Sequence, residues 1–298
     1  AGRNLILDVS GKATLGSTAA TGSIRILAGD LDLTGTLTAP NAQIESRSGA
    51  MRVGGSADGG SGFVFDNTDF GQLRVTGVTR FYAGSSTGSA RGDLTLQTLA
   101  INPGNTPNVS FLVGSGNVAN VQGSVAPTTS GGFLRIGDAT DLTWRPGSIL
   151  VTGSLGAATF TNNGASYTGV RAFDEVRLAA RQDILFGSPR FISLIQGTAI
   201  ADIDIAKGLP VGVVPVGDEV GKVFVATGRL EVSADGKAVQ QNTALPGSGG
   251  TAGLYFTGAF TPALIIDPPR LVELWGAIAG SDGRVTTGAA AGSGISFT

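Results

Sequence analysis

The fold class this sequence predicts is an all-β solenoid, and three observations predict it. Two short frames recur at coil-sized steps, apolar residues alternate within them with period 2, and aromatic residues make up only 6% of the chain, low for a sandwich core. The first frame is a small or polar lead followed by apolar-x-apolar: Gly2-Arg3-Asn4-Leu5-Ile6-Leu7, Gly29-Asp30-Leu31-Asp32-Leu33, Gly92-Asp93-Leu94-Thr95-Leu96, Gln182-Asp183-Ile184-Leu185-Phe186 and Gly228-Arg229-Leu230-Glu231-Val232. The second is apolar-Arg-apolar: Ile24-Arg25-Ile26, Met51-Arg52-Val53, Leu73-Arg74-Val75, Leu134-Arg135-Ile136 and Val176-Arg177-Leu178. Strand neighbours face opposite ways, so each apolar pair turns one way and the Arg, Asp, Thr or Glu between them mostly the other. The intervals fall near multiples of about 20 to 23 residues, with irregular insertions, which is the length of one coil. Sandwiches and barrels also use short strands and frequent turns, so periodicity alone leaves them open. Recurrence of one frame at coil-sized steps favours the solenoid.

Turn signals punctuate these frames at Ser10-Gly11, Ser48-Gly49, Asp58-Gly59-Gly60, Asn163-Gly164, Asp235-Gly236 and Asp282-Gly283. Residues 1–180 read as β-helix coils, and residues 181–298 as final coils with a less regular C-terminal cap. In that cap Ser188-Pro189-Arg190-Phe191, running on to Gly197, carries an N-cap Ser, Pro at the first helical position and a terminal Gly, predicting one short helix. The stretch 208–221 reads as a long loop and Asp267-Pro268-Pro269 as a break between strands. Such a cap covers the last open sheet edges. Residues 227–243 read as two short strands hinged at Asp235-Gly236, the second ending in Gln240-Gln241-Asn242. In stacked coils inward amides bond to the coils above and below, so Gln241 or Asn242 is expected to be at least partly buried.

Composition removes several function classes. With 20 Lys+Arg against 22 Asp+Glu, the net charge of −2 gives no reason to expect nucleic acid or an anionic membrane as partner. The chain has no Cys and no His, which excludes thiolate and imidazole metal ligands, cysteine nucleophiles, disulfides and His-dependent triads. No run reaches the roughly 18 apolar residues that span a bilayer. A chain starting Ala1-Gly2-Arg3 has no initiator Met and no signal-peptide pattern, and reads as a piece or a processed product.

Four constellations carry residue types that chemistry could use. Asp30 with Asp32, and Asp202 with Asp204, each share a strand face at a separation suited to glycoside hydrolysis or to calcium, but neither pair has an aromatic platform or a glycine-aspartate nonapeptide repeat beside it. The expected role is a solvated face. The framed arginines line up either as a basic stripe for anionic glycans or, the bland reading, as a wet face alternating with Asp32, Glu175 and Glu231. The loop Gly84-Ser85-Ser86-Thr87-Gly88-Ser89 offers hydroxyls with no base to activate them, and Gly59-Gly60 lacks the Lys of a phosphate loop. No catalytic, cofactor-binding or metal-binding residue is therefore assigned.

The order of the tail is more specific. Arg181-Gln182-Asp183-Ile184-Leu185-Phe186-Gly187-Ser188, the short helix, Ala238-Val239-Gln240-Gln241-Asn242, Gly253-Leu254-Tyr255-Phe256 and Leu264-Ile265-Ile266-Asp267-Pro268-Pro269 together resemble the C-terminal end of large haemagglutinin-like surface proteins of some alphaproteobacteria. With the coil frames, the chain is similar to β-helical exoproteins of the filamentous-haemagglutinin type, exported by two-partner secretion. The resemblance implies a right-handed parallel β-helix at the bacterial cell surface that works in adhesion, coating or fibre formation, without catalysis or cofactor. It also implies an outer-membrane secretion partner for a longer parent, since Asn102-Pro103-Gly104-Asn105 and Thr106-Pro107-Asn108 are poor matches to the secretion domain's motifs and read as corner loops. Expected partners are other copies, end to end or side by side, and surface glycans; nucleic acid and membrane insertion are not expected. The alternatives are a self-assembling filament subunit, in which Gly294-Ile295-Ser296-Phe297-Thr298 pairs with the first coil of another copy, and a carbohydrate-active β-helix such as a lyase or tailspike-like glycosidase. Two Trp, Trp144 and Trp275, and three Tyr supply little for the last of these.

Overall fold

The computed structural model describes residues 3–56, 62–138, 140–161, 166–171 and 173–181, and beyond these a series of strands from Ile184–Phe186 to Gly294–Phe297. The fold is all-β and its sheets are parallel. Among the described residues the antiparallel exceptions are the hairpin Ala157–Thr161 with Ser166–Arg171 and a single bridge between Gly84 and Arg91. A ten-stranded sheet runs strictly in chain order through Leu5–Asp8, Ser23–Ala28, Asn41–Ser46, Val78–Ala83, Asn108–Val113, Phe133–Ile136, Glu175–Ala180, Arg229–Ala234, Ala263–Ile266 and Val285–Thr287. Between its strands the chain visits a nine-stranded sheet and then a six-stranded one, in the same order each time from Asn108 onward: Asn108–Val113, Val118–Val121, Ser124–Pro127, then back to Phe133–Ile136.

All ten sequence frames lie in strands, and where burial is described the alternation holds. Asp30–Leu33 alternates half-buried and buried, Met51–Val53 and Leu73–Val75 bury both apolar ends around a half-exposed Arg, and Phe133–Ile136 exposes every other residue. Parallel register keeps the inward positions in columns: Ile26 stands opposite Ile44, Ile44 opposite Phe81, Phe81 opposite Phe111 and Phe111 opposite Ile136, all fully buried. A pairing slip of one residue would turn each such column to solvent, so burial itself enforces the register. At the corners the stack is close enough to demand glycine: a Cβ on Gly153 would stand 2.0 Å from the Gly123 carbonyl oxygen, and one on Gly123 2.2 Å from the Thr98 amide.

Spacing is the point on which sequence and structure differ most. Leu5 pairs with Ile24 and Ile24 with Ala42, but Ala42 then pairs with Thr79. The intervening residues hold an excursion that runs backward. Phe63–Phe65 pairs with Met51–Val53 on the side away from Leu94–Leu96, and the Val64 amide donates to the Asp30 carboxylate at 3.0 Å, so this strand lies between two earlier ones. A five-residue helix, Asn67–Gly71, follows. Only the 188–197 helix was expected, and that segment lies outside the described residues. The overlooked signal was Asp66 followed three residues later by Asp69, which form a capping box at this helix start.

Helix and inserted strand bring a buried aromatic cluster together. Phe81 stacks on Phe111 with ring centres 5.2 Å apart, and meets Phe65 at 5.3 Å and Phe70 at 5.7 Å. Beside it Asp69, 6% exposed, accepts from the Leu33 amide at 2.7 Å and caps the end of that strand. Burial pushes its pKa up from 3.8 to about 6, against the lowering effect of the Leu33 and Asp66 amides. A raised folded-state value means that the protonated form is bound preferentially by the fold. The stabilisation is therefore full below pH 3.8 and lost as pH rises through 6. On the order of 3 kcal/mol rides on that window. Asp69→Asn keeps an acceptor for Leu33 and should flatten stability between pH 4 and pH 7, leaving the variant at least as stable as wild type at pH 7; Asp69→Ala should flatten the slope too, and its cost of about 1–3 kcal/mol should show at pH 4 and shrink toward pH 7. Thermal melts at the two pH values check this, and an unchanged pH slope in Asp69→Asn would refute the assignment.

Beyond residue 181 the strands continue the same order. The two short strands expected on either side of Asp235-Gly236 are Arg229–Ala234 and Lys237–Gln240, and they belong to different sheets. Gln240 stands in register between Phe186 and Leu274, in line with the buried column Val53, Leu96, Val121 and Val151. Gln241 and Asn242, on which the amide-ladder expectation fell, lie outside the described residues. Gly294–Phe297 ends the nine-stranded sheet, paired with Leu271–Leu274.

Candidate functional site

The ten-stranded sheet carries a run of basic side chains on one register line. Parallel register lines up Arg25, Gln43, Arg80, Ser110, Arg135 and Arg177 in one column across six strands, and Glu231 takes the next register position. Of the five framed arginines only Arg25, Arg135 and Arg177 are in it. Arg52 and Arg74 belong to two other sheets, so the framed residues do not form one stripe. The column gains Arg80, which sequence reasoning missed because its frame reads Thr79-Arg80-Phe81, with a buried Thr79 in an apolar position.

At one end the serine-rich loop closes over this column. Glu45, fully buried, accepts from Arg25 Nε at 2.5 Å and a second guanidinium nitrogen at 3.0 Å, and from the Ser86 amide and hydroxyl, both at 2.8 Å. Arg25 also donates to Thr87 Oγ1 at 3.0 Å, and Gln43 to Ser86 Oγ at 3.0 Å. Arg91 holds the loop from the far side, donating to the carbonyls of Ser85, Gly88 and Ala90 while its guanidinium lies 4.0 Å from the centre of the Trp144 ring. Tyr82 meets Trp144 edge-on at 4.6 Å. The sequence placed no base near these hydroxyls; the structure puts the Glu45 carboxylate on Ser86. That carboxylate is already bound by Arg25, which suits a clasp better than proton abstraction.

Where the loop stops, a groove of about 340 Å³ opens on the same sheet. One wall is the basic column Arg80, Ser110, Arg135, Arg177. The other is the column two residues earlier on the same strands, Val78, Asn108, Phe133 and Glu175. Phe133 is 47% exposed, unusual for a ring in this fold. Arg177 is paired with Glu175, whereas among the described residues Arg80 and Arg135 are exposed and carry no ion pair. Burial pushes the pKa of Asp138 up, but the Thr140 hydroxyl and amide, the Asp141 amide and the charge of the nearby Arg135 together hold it below the ordinary range.

The predicted carboxylate pair is differently placed than expected. Lys12 bridges Asp30 and Asp32 at 3.2 and 2.8 Å, both side chains are three-quarters or more buried, and Asp30 also caps Val64. The pair is a structural tie across neighbouring strands, where a solvated face was expected. Asp202, Asp204 and Gly59-Gly60 lie outside the described residues. Among those described, no group of three or more acidic side chains has metal-binding proximity, and no helix is long and apolar enough to cross a membrane.

Fold and surface together define an all-β protein of stacked parallel sheets with an arginine-lined groove on one face. No family model matches the chain, and neither a curated protein nor a solved structure does.

Proposed function

We propose that the chain winds as a right-handed parallel β-helix and serves outside a bacterial cell as a non-enzymatic structural or adhesive part of a surface protein of the haemagglutinin-like kind. One observation carries the reading: ten strands pair parallel in chain order, and from Val78–Ala83 onward the chain returns between them through the same second and third sheets. Stacking of this kind extends the molecule one strand spacing at a time and presents outward columns along its length. Ten strands span on the order of 45 Å, against about 70 Å from a uniform coil of 20 residues, because several turns carry insertions. The tail order described above supports the surface assignment, and the use of paired or capped acids as structural ties supports a role without catalysis.

Antibody raised against the purified chain is expected to label intact cells of the source bacterium; label only after permeabilisation would overturn the surface assignment. Incubation with a panel of acidic polysaccharides should leave their chain lengths unchanged, and shortening would favour a carbohydrate-active enzyme instead. The alternative reading is a filament subunit, in which strand edges of neighbouring copies pair. Electron microscopy of the purified chain decides it: isolated short rods would sink the filament.

A further inference from the structure

We infer that the groove between the Arg80 and Phe133 columns binds a linear polysaccharide carrying carboxylates on alternate sugars. The inference rests on the extracellular reading for its biological setting, but on the groove alone for its chemistry. The groove crosses four consecutive strands, Val78–Ala83, Asn108–Val113, Phe133–Ile136 and Glu175–Ala180, so it runs along the stacking direction. Its walls repeat once per strand, about every 4.8 Å. A pyranose residue lengthens a polysaccharide by a similar distance, so a chain lying in the groove meets one strand per sugar.

The order of side chains sets which sugars carry charge. Arg80 and Arg135 are separated by one strand, with the neutral Ser110 between them at the groove floor, 6% exposed. Two exposed guanidiniums two strand spacings apart match acids on alternate sugars, with an uncharged sugar over Ser110. Arginine suits this because its planar donors engage a carboxylate in a two-point contact. The opposite wall provides an exposed ring at Phe133, whose negative face receives sugar C–H groups, and Asn108, whose Nδ2 donates to the Gly77 carbonyl at 3.3 Å and whose Oδ1 can accept from a hydroxyl. Glu175 at the end of the groove, paired with Arg177, disfavours a densely sulfated chain that would place a charge at every position. With a net charge of −2 on the whole chain, attraction must come from this local column.

Titration calorimetry of the intact chain with hyaluronan oligosaccharides, with heparin and dextran as comparisons, tests the inference. Binding to hyaluronan is expected, stronger than to heparin, absent for dextran, and weakened severalfold on raising salt from low to physiological strength. Arg80→Ala and Arg135→Ala should each lower affinity about tenfold or more, and Phe133→Ala measurably. Arg3→Ala, which removes the same charge from an exposed position near the first strand, should not. All four residues are exposed, so unchanged melting temperatures keep the comparison clean. No binding to hyaluronan, a preference for heparin, or an equal loss in Arg3→Ala would each overturn the inference. Cell-surface labelling without hyaluronan binding would overturn this inference alone, whereas hyaluronan binding by a protein confined inside the cell would overturn the surface assignment and leave the groove standing.

Discussion

Arg25→Ala is expected to destabilise the protein by about 3–5 kcal/mol, the cost of leaving a buried charge without its partner. Glu45 is fully buried, and two of its four bonds come from Arg25. The Ser86 amide and hydroxyl remain, but no cation does. Glu45→Ala removes the same pair from the other side and should cost less, about 2–3 kcal/mol, because the Arg25 side chain is 25% exposed and regains water. Replacing both should cost less than Arg25→Ala alone, since no charge is then stranded. Urea denaturation of the three variants gives the double-mutant cycle. Losses under about 1 kcal/mol in both single variants would show that the pair is no more than a surface salt bridge. Glu45 also anchors the loop that covers this end of the column, so both single variants should increase proteolytic cleavage between Gly84 and Arg91.

Phe81→Ala should cost a similar 3–5 kcal/mol, for reasons of packing alone. Phe81 is the ring where three separately formed pieces meet: the inserted strand through Phe65, the helix through Phe70 and the next strand through Phe111. Deleting it leaves a cavity that parallel strands at fixed spacing cannot close by moving together. Phe81→Leu retains most of the buried area and should lose about 1–2 kcal/mol, mainly the ring contacts. Phe111→Ala loses a single ring contact of the cluster and is expected to fall below Phe81→Ala in cost. Denaturant midpoints rank the three, and a Phe81→Ala loss under 1 kcal/mol would mean that the excursion repacks independently of the sheet.

Strand positions were the most legible feature. The frames around Leu31 and Leu33, Met51 and Val53, and Val176 and Leu178 alternate because a strand has period 2, and a half-buried strand writes that period into neighbouring residues. The site was less legible. Arg25, Arg135 and Arg177 stand out in sequence, but their alignment with Arg80 depends on pairings between residues tens of positions apart. The groove wall formed by Val78, Asn108 and Phe133 has no shared sequence signature at all. Glu45 reads locally as an ordinary outward acid of the strand Asn41–Ser46; only the later loop at Ser86 buries it. The helix at Asn67–Gly71 had a visible cap in Asp66 and Asp69, but at five residues it is too short to show a period.

The sequence by itself determined that the chain makes short strands, which residues of the regular frames turn inward, and that thiol and imidazole chemistry is absent. These follow from composition and from contacts one or two residues away. Only the tertiary structure decided which strands are neighbours, that Phe63–Phe65 is threaded back between earlier strands, and that four arginines share one column. Parallel pairing joins residues through hydrogen bonds that are nearly the same for every side chain, so local sequence carries little information about partner choice. The choice is made by the fit of buried columns such as Ile44, Phe81 and Phe111, and that fit exists only once the strands are stacked.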